Sequence, residues 1–592
     1  MLKARSKLLY AGSAAAVLAV SATIYATQQP RMIQNETPEK AADPQAELLP
    51  KKKKLKTPTL PESQYGPDYP GVYAWGNNTG NVVAPGYGAT LPSVKSPYRI
   101  PFFDGRVLRD LALSGSLGVA VLENGDIVQW GDAYSKEQLA SNPSKLEKTV
   151  KGRDIKKVEI ADGKAVYGLN KAGSRVYAWP VSRDELVAGE RLGTSTYNGG
   201  SWWKIWTWGR GSATGPNLTE DAAKLGSCLT VKLPSLGYTE YIKDISVGND
   251  HILVLTSKGR VFSGATGVYA SQKPAASKGQ YGIASLSQFD EAPVPGKVYE
   301  IKSFKETVID QIATGDYHSL ARSREGQVYG FGENVLGQLG IPYSYSTANA
   351  AIPTLLPFHK LYPRQTIPEA TDIAAGGATS YVTIQPKPNP HEILDRKKSK
   401  DDEFKRDVFA FGSGLVGQLG TGAYVHAQST PVKIQHFGNL AEYSETLRRM
   451  TQIDLSDWAV GRNHTAVSVG GPARAAAGFG SDVLIWGGNE YAQIGTGKRN
   501  NIAKPISISG LRVDRVNPAV AMATAARKAD EIVRDEDAWH LADQASANER
   551  LQLFHRKYVT YTDPDTNRKR SGKLTQVLTA GDNNTAVYYK RE

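Results

Sequence analysis

The sequence predicts an all-β chain whose short units close radially into a seven-bladed β-propeller. Three observations carry that expectation. First, a stretch repeats: Val328–Gly340 reads VYGFGENVLGQLG, Val408–Gly420 reads VFAFGSGLVGQLG, and Val483–Gly495 reads VLIWGGNEYAQIG. The shared skeleton is a β-former, an aromatic, Gly, a loop, and a closing Gly-Gln-Leu-Gly that becomes Ala-Gln-Ile-Gly in the third copy. Second, another stretch recurs between these copies, as IATGDYHSLA from Ile312, ISVGNDHILVL from Ile245 and VLTAGDNNTAVY from Val577. Each is an alternating apolar run, a Gly turn and a second run, which is the pattern of two strands and a tight connection. Third, both halves can be followed through the chain seven times, and units this small cannot each bury a core alone. Radial closure gives them shared cores and leaves few open edges.

The first half begins at Val72, Ile127, Val176, Val261, Val328, Val408 and Val483. The second half spans Leu111–Leu122, Val158–Leu169, Ile245–Leu255, Ile312–Ala321, Ile373–Thr383, Ile453–Val467 and Val577–Tyr588. The glycines fit backbone that needs positive φ or close approach of a neighbouring chain. In the third unit Pro180 follows Trp179 where the others have Gly.

These residues resemble the repeat of the regulator of chromosome condensation family, whose members are seven-bladed propellers. The resemblance runs from about Gly71 to Tyr589 and is carried by Gly-Gln-Leu-Gly and Gly-x-x-His. The family's founding member is a nucleotide-exchange factor for a small GTPase, and no residue here can be matched to that exchange surface.

Residues 1–30 hold Lys3, Arg5 and Lys7, followed by an uncharged run from Leu8 to Pro30. The run is long enough to span a bilayer, although its alanines make it weakly hydrophobic. Three readings stand: a membrane anchor with a basic mitochondrial address, a cleaved secretory signal with small residues near Ala22 or Ala26, and a removed transit peptide. An uncleaved helix over Leu8–Thr27 would make the protein single-pass in the mitochondrial inner membrane. Cleavage would leave it secreted or soluble in mitochondria.

Residues 31–68 read as a linker, punctuated by Pro38, Pro44, Pro50, Pro58, Pro61 and Pro67. Such a segment cannot repay its ordering entropy. Lys51–Lys54 and Lys56 within it read as a solvated charge run, ahead of a contact for an anionic membrane surface or nucleic acid, or a nuclear address, which conflicts with the leading apolar segment. The propeller is expected over residues 69–592, with insertions at about 181–241, 386–405 and 517–557. The first insertion contains SWWKIWTWGRG. The second is a charged loop. In the third, Asn517–Pro518 is a helix-start signal and Ala525, Ala529, Ile532 and Trp539 fall near one helical face. Two helices or a helical hairpin are expected there, with Leu551, Leu553 and Phe554 as a later apolar cluster.

The composition bounds the function. The chain has 592 residues, a formal net charge of +13 and one cysteine, Cys228, so no internal disulfide is possible. Ten Lys/Arg and four Asp/Glu fall within residues 1–56, placing +6 of the charge ahead of the repeats. The +7 that remains over the body is too little to indicate a nucleic-acid partner. No P-loop, HExxH, GxSxG or Cys/His ligand cluster occurs, so no catalytic residue, cofactor or metal is expected. His251, His318 and His464 occupy one repeat position, where the fifth unit has Thr379 and the seventh Asn584. A residue recurring at one blade position is read as a structural hydrogen-bonding group. Asp454 and Asp457 lie close together with nothing to assign them acid–base roles.

The layout of a basic–apolar leader, lysine tether and degenerate repeats is similar to that of fungal mitochondrial inner-membrane members of the family linked to cytochrome bc1 assembly. The resemblance implies a non-enzymatic scaffold, an assembly factor for respiratory complex III, with respiratory-complex subunits or assembly factors as partners. A guanine-nucleotide exchange factor is the alternative. Large apolar side chains in the insertions are the expected partner contacts: Trp202, Trp203, Trp206, Trp208, Ile532, Trp539, Leu551 and Phe554.

Overall fold

The computed structural model describes residues 60, 65–88, 90–137, 146–187, 228–287, 292–389, 406–444, 448–470, 480–511 and 550–591. All of these belong to one compact unit, residues 57–592.

Every run identified above as a half-repeat is strand. The strands group by hydrogen bonding into antiparallel sheets arranged as a β-propeller. Four sheets have four strands each in chain order. One holds Ile155–Ala161, Ala165–Asn170, Val176–Trp179 and Leu229–Thr230; the next holds Ile242–Val247, His251–Thr256, Val261–Ala265 and Tyr299–Glu300. The third comprises Ile309–Thr314, His318–Ser323, Val328–Glu333 and Asn349–Leu355, and the fourth Thr366–Gly376, Thr379–Pro388, Asp407–Gly414 and Val425–Lys433. A five-stranded sheet follows, with Asp454–Val460, His464–Gly470, Ser481–Gly487 and Ile502–Ser507 in order, and Gln552–Leu553 added against Ser481 and Asp482.

A nine-stranded sheet joins the two chain ends. Arg568–Ala580 pairs with Asn584–Arg591, which pairs with Val72–Asn77 from the start of the body, and Ser93–Arg99 lies outermost. The strands Leu108–Leu113, Gly118–Leu122, Ile127–Trp130 and Glu147–Val150 complete it, attached to the first group by the single parallel bridge Leu108–Lys590. Closure is therefore made by registered pairing of Val72–Gly76 with Tyr588–Asn584.

This pairing shifts the phase of the repeat. The sequence places each aromatic-led run at the head of a unit. In the structure that run is the third strand of a sheet begun by the preceding half-repeat. The outermost strands carry a weaker signal, because one face and one edge of each meets solvent. Asn349–Leu355 is exposed or half-exposed along its length, whereas His251–Thr256 is buried throughout.

The aromatic of each aromatic-Gly pair fills the space between neighbouring sheets. Trp75, Trp130, Trp486, Phe331 and Phe411 are fully buried. Burying each ring contributes roughly 2–3 kcal/mol. The last Gly of Gly-Gln-Leu-Gly lets that ring approach: a Cβ on Gly420 would lie 2.8 Å from Nε1 of Trp486, and one on Gly340 3.2 Å from the ring of Phe411. The Gly after the aromatic answers a different need. Gly412 has φ +107°, and a Cβ there would sit 2.2 Å from the carbonyl oxygen of Ala378. Gly412→Ala should cost at least about 3 kcal/mol in urea unfolding, since both backbone conformation and a main-chain contact forbid the methyl. A cost under about 1 kcal/mol would contradict this account.

Two further features position the surface. Residues 65–73 are fastened to the outermost strand by Arg99, whose guanidinium donates to the carbonyls of Gly66, Tyr69 and Pro70 and to the hydroxyl of Tyr73. Beside this clamp, Lys557–Asp563 and Arg568–Leu574 form an antiparallel hairpin that extends the closing sheet. Tyr69 is hydrogen-bonded to Thr562 there, and Lys557 Nζ lies 2.6 Å from Asp68.

The helical insertion expected over 517–557 is corrected at its described end. Arg550 bridges Ser509, Gln552–Leu553 is strand, and Lys557 begins the hairpin. Leu551 and Leu553 are buried in the core, so their apolar cluster reports sheet packing and not a helix face. Residues 512–549 lie outside the described residues. So do 188–227 and 390–405; Arg183–Val187 and Leu229–Thr230 flank the first of these, and Thr379–Pro388 leads into the second. Among the described residues no helix is long and apolar enough to cross a membrane, and Leu8–Thr27 lies outside them.

Candidate functional site

The repeated histidines serve the ring. His251, His318 and His464 are fully buried. Each reaches a hydroxyl on the following sheet through Nε2: Ser319 at 2.7 Å, Ser380 at 2.8 Å and Thr585 at 2.8 Å. The hydroxyls of Ser380 and Thr585 donate onward to the carbonyls of Gln338 and Gln493, the glutamines of the Gly-Gln-Leu-Gly turns. Those two hydroxyl oxygens must then accept, so Nε2 of His318 and His464 carries the proton. The relay thus ties turn, hydroxyl and imidazole across neighbouring sheets. Asn584 substitutes in kind, donating Nδ2 to the carbonyl of Ser114 at 2.8 Å. The glutamine side chains are used as well: Gln338, Gln418 and Gln493 each accept a backbone N–H within their own turn.

The concave feature at the centre is a channel of about 560 Å³. It is lined by residues 110–114, 246–249, 311–316, 372–377, 457–462 and 578–582, with Lys157–Ile160 and Asp162, all from the first strands around the ring or the turns that follow them. Seven carboxylates line it: Asp110, Glu159, Asp162, Asp316, Asp372, Asp457 and Asp582. Against them stand two cations, Lys157 and Arg462. Arg462 faces three carboxylates from three different sheets: Asp316 at 3.4 Å, Asp582 at 3.6 Å and Asp162 at 3.7 Å. Lys157 pairs with Asp244 at 2.7 Å and Glu159 at 3.2 Å. Burial raises the carboxyl groups of Asp110, Asp316 and Asp372, and pushes Glu159 up to about 7. Arg462 pins turns from three sheets across the ring through charge, at distances looser than a good ion pair, whereas Lys157–Asp244 is a close one. The sequence signal of these turns was present but unread: the residue after Gly in the Gly-x-x-His turn is Asn249, Asp316 or Arg462, and Asp582 takes the place in the last copy.

Asp454 and Asp457 are not brought together. Asp454 pairs with Arg406 at 2.8 Å, while Asp457 faces the channel. Cys228 is half-buried, and burial pushes its thiol up to about 11. Among the expected partner contacts, Leu551 is 1% exposed, and Phe554 is partly buried with its ring 5.6 Å from that of Tyr589. Neither offers an open anchor. Trp202, Trp203, Trp206, Trp208, Ile532 and Trp539 lie outside the described residues.

Residues 309–338 and 325–382 match the regulator of chromosome condensation (RCC1) repeat. This chain carries RCC1 repeats. It is similar to Protein FMP25, mitochondrial, of Saccharomyces cerevisiae, with 27% identity over 470 residues, 76% of this chain and 68% of that protein. It is similar also to the RCC1 domain-containing protein RUG3, mitochondrial, of Arabidopsis thaliana, at 28% identity over 61% of this chain and 66% of that one. The chain thus spans about two-thirds of the length of these curated relatives. Among solved structures, human WBSCR16 aligns with a TM-score of 0.51 at 14% identity, covering 88% of this chain and 99% of that one, a likeness of fold alone. The RCC1 repeat places the matched region on the sheet containing His318 and the one after it.

Proposed function

We propose that this chain is a non-enzymatic scaffold of mitochondria, tethered to the inner membrane by Leu8–Thr27 and acting in assembly of respiratory complex III. The propeller reading behind it counts seven blades, taking the nine-stranded sheet as two blades joined at Leu108–Lys590. The observation that carries the scaffold role is how the repeated polar groups are used. The histidines, hydroxyls and glutamines that recur are consumed in fastening blade to blade. A rigid ring of this kind leaves its loop faces free to differ and to bind protein. Similarity to two proteins named mitochondrial supports the compartment. The Gly-x-x-His and Gly-Gln-Leu-Gly groups take no part in the proposed contact.

The test uses mitochondria from cells depleted of this chain. Native gels should show mature complex III reduced at least about fivefold, with a subassembly accumulating, while other respiratory complexes persist. An unchanged complex III level would remove the assembly role. Release of the full-length protein by alkaline carbonate would remove the tether. Acceleration of nucleotide release from a mitochondrial small GTPase by the purified protein would favour the exchange-factor reading instead.

A further inference from the structure

We infer that two neighbouring loops at the channel mouth, those of Val335 and Leu415, dock a protein segment that carries large apolar side chains beside a cation. That the partner is a protein rests on the scaffold reading above.

The surface is uncharged where the rest of the chain is not. Of the whole chain 22% is charged, yet residues 334–358 and 408–432 contain no Asp, Glu, Lys or Arg. Within them Tyr345 is 99% exposed, Leu415 62% and Val335 50%, and Tyr343 is exposed as well. Val335 follows the strand Val328–Glu333, and Leu415 follows Asp407–Gly414 at the same place in the next sheet. Asn334 gathers the first group. Its backbone N–H donates to the carbonyl of Ala348 at 2.7 Å and its Nδ2 to that of Ile341 at 3.1 Å, which brings the loop of Tyr343 and Tyr345 alongside Val335. Gly337, in the same turn, lies directly against Gln428 and Ser429 of the neighbouring sheet. That strand in turn pairs Val425 with Gly414, next to Leu415, so the two groups adjoin. The histidines and glutamines of the repeat stay in the relay. The large side chains beside them gain little burial within the chain, and a contiguous exposed set of this kind marks an interaction surface.

Charge at the mouth selects the occupant. The turns that join the first and second strands around the ring carry Asp162, Asp250, Asp316 and Asp582 against Lys164 and Arg462, four acids to two bases and a net of −2. Glu333 adds nothing to this, because Lys278 pairs with it at 3.0 Å. The excess repels nucleic acid and anionic lipid and attracts an arginine or lysine side chain.

The two features share one face of the ring. Glu333 donates its N–H to the carbonyl of Tyr317 at 3.0 Å, Ser413 to Ala378 at 2.9 Å and Gly488 to Asn463 at 2.7 Å, so each loop sits on a turn of the mouth. Asp316 adjoins Tyr317 and Val335 is two residues beyond Glu333, which puts them at most roughly 16 Å apart along the backbone. An extended segment of about five residues covers that distance. The partner segment therefore has its cation about five positions from its apolar anchor.

The test pans a displayed library of random peptides, about twelve residues long and so able to span loop and mouth, on the immobilised full chain. The protein with Val335→Ser, Tyr345→Ser and Leu415→Ser serves as the counter-selection. All three side chains are at least half exposed, so its urea midpoint should match the parent's. Recovered peptides should pair a large apolar residue with Arg or Lys about five positions away, and a synthetic copy should bind the parent at least about tenfold more tightly than this variant. Asp162→Asn with Asp316→Asn brings the mouth from −2 to zero, and should weaken the same peptide about fivefold and flatten its salt dependence. The proposal is overturned if no peptide prefers the parent to the triple variant, if the preferred peptides are acidic or lack a cation, or if the double variant binds as the parent does. Loss of complex III on depletion without any such preference would keep the scaffold and remove this face as its site. Preference without loss of complex III would remove the assembly role and keep the docking face.

Discussion

Replacing Arg99 by methionine should destabilise the closed body by about 3–5 kcal/mol, because it leaves a partly buried carboxylate and several carbonyls without their donor. The Arg99 side chain is 2% exposed. It meets Asp104 at 2.5 Å, donates to Tyr69 at 2.9 Å and Pro70 at 2.7 Å, and also lies over the rings of Tyr65, Tyr69 and Tyr73. Desolvation outweighs the attraction of Arg99 in setting the Asp104 carboxyl, which is raised. Methionine has similar length but supplies no donor. Arg99→Lys should recover only a fraction, since an ammonium cannot present the planar fork that five acceptors use here. Urea unfolding measures the stability, and limited proteolysis within residues 65–70 reports local release. A loss under about 1 kcal/mol, with unchanged proteolysis, would show that the clamp follows the fold without supporting it.

Much of this fold was readable because its determinants are local and repeated. Alternation between apolar and polar residues located each strand of the half-repeats, and the aromatic-Gly pair located the contact between sheets. The phase was not readable: the pairing of Val72–Gly76 with Asn584–Tyr588 joins residues more than five hundred positions apart, and no local signal specifies which half-repeat opens a sheet. The outer strands were missed because solvent on one side removes the need for alternation, as in Asn349–Leu355. Leu551 and Phe554 misled for a related reason. An apolar cluster has no fixed partner until its neighbours are known, and here they are Ser481–Gly487 and Tyr589. The histidines were read correctly as structural because recurrence at one blade position is a geometric constraint. The channel charges were overlooked because Asn249, Asp316, Arg462 and Asp582 differ in identity while sharing a place.

His464→Asn should flatten the acid limb of the stability curve. At neutral pH the variant is expected to lose about 1–2 kcal/mol, the cost of weakening one buried hydrogen bond to Thr585. Asparagine is the appropriate replacement, since Asn584 performs the same bridging task to Ser114. The pH effect has the other origin. His464 is fully buried, and Nδ1 has no hydrogen-bond partner among the described residues. Protonation would place a charged, unpaired N–H against the Gly461 backbone, so burial holds the imidazole down at about 4, while His251 and His318 lie at about 3. An unfolded histidine titrates near 6.5. Between these values the unfolded chain binds the extra proton, so stability is complete above about pH 6.5 and falls as pH drops toward 4. The slope is about 1.4 kcal/mol per pH unit for each histidine, or roughly 3 kcal/mol for His464 over the window. The channel carboxyls act in the opposite sense: raised in the folded state, they take up protons more readily there and favour the folded form as pH falls. The difference between parent and variant cancels that contribution. Urea midpoints from pH 4.5 to 7.5 should therefore show the variant less stable than the parent near neutrality, equal to it near pH 5.5, and more stable at pH 4.5. Parallel curves across that range would mean that His464 stays accessible to a proton in the folded protein, and the relay as drawn would be wrong.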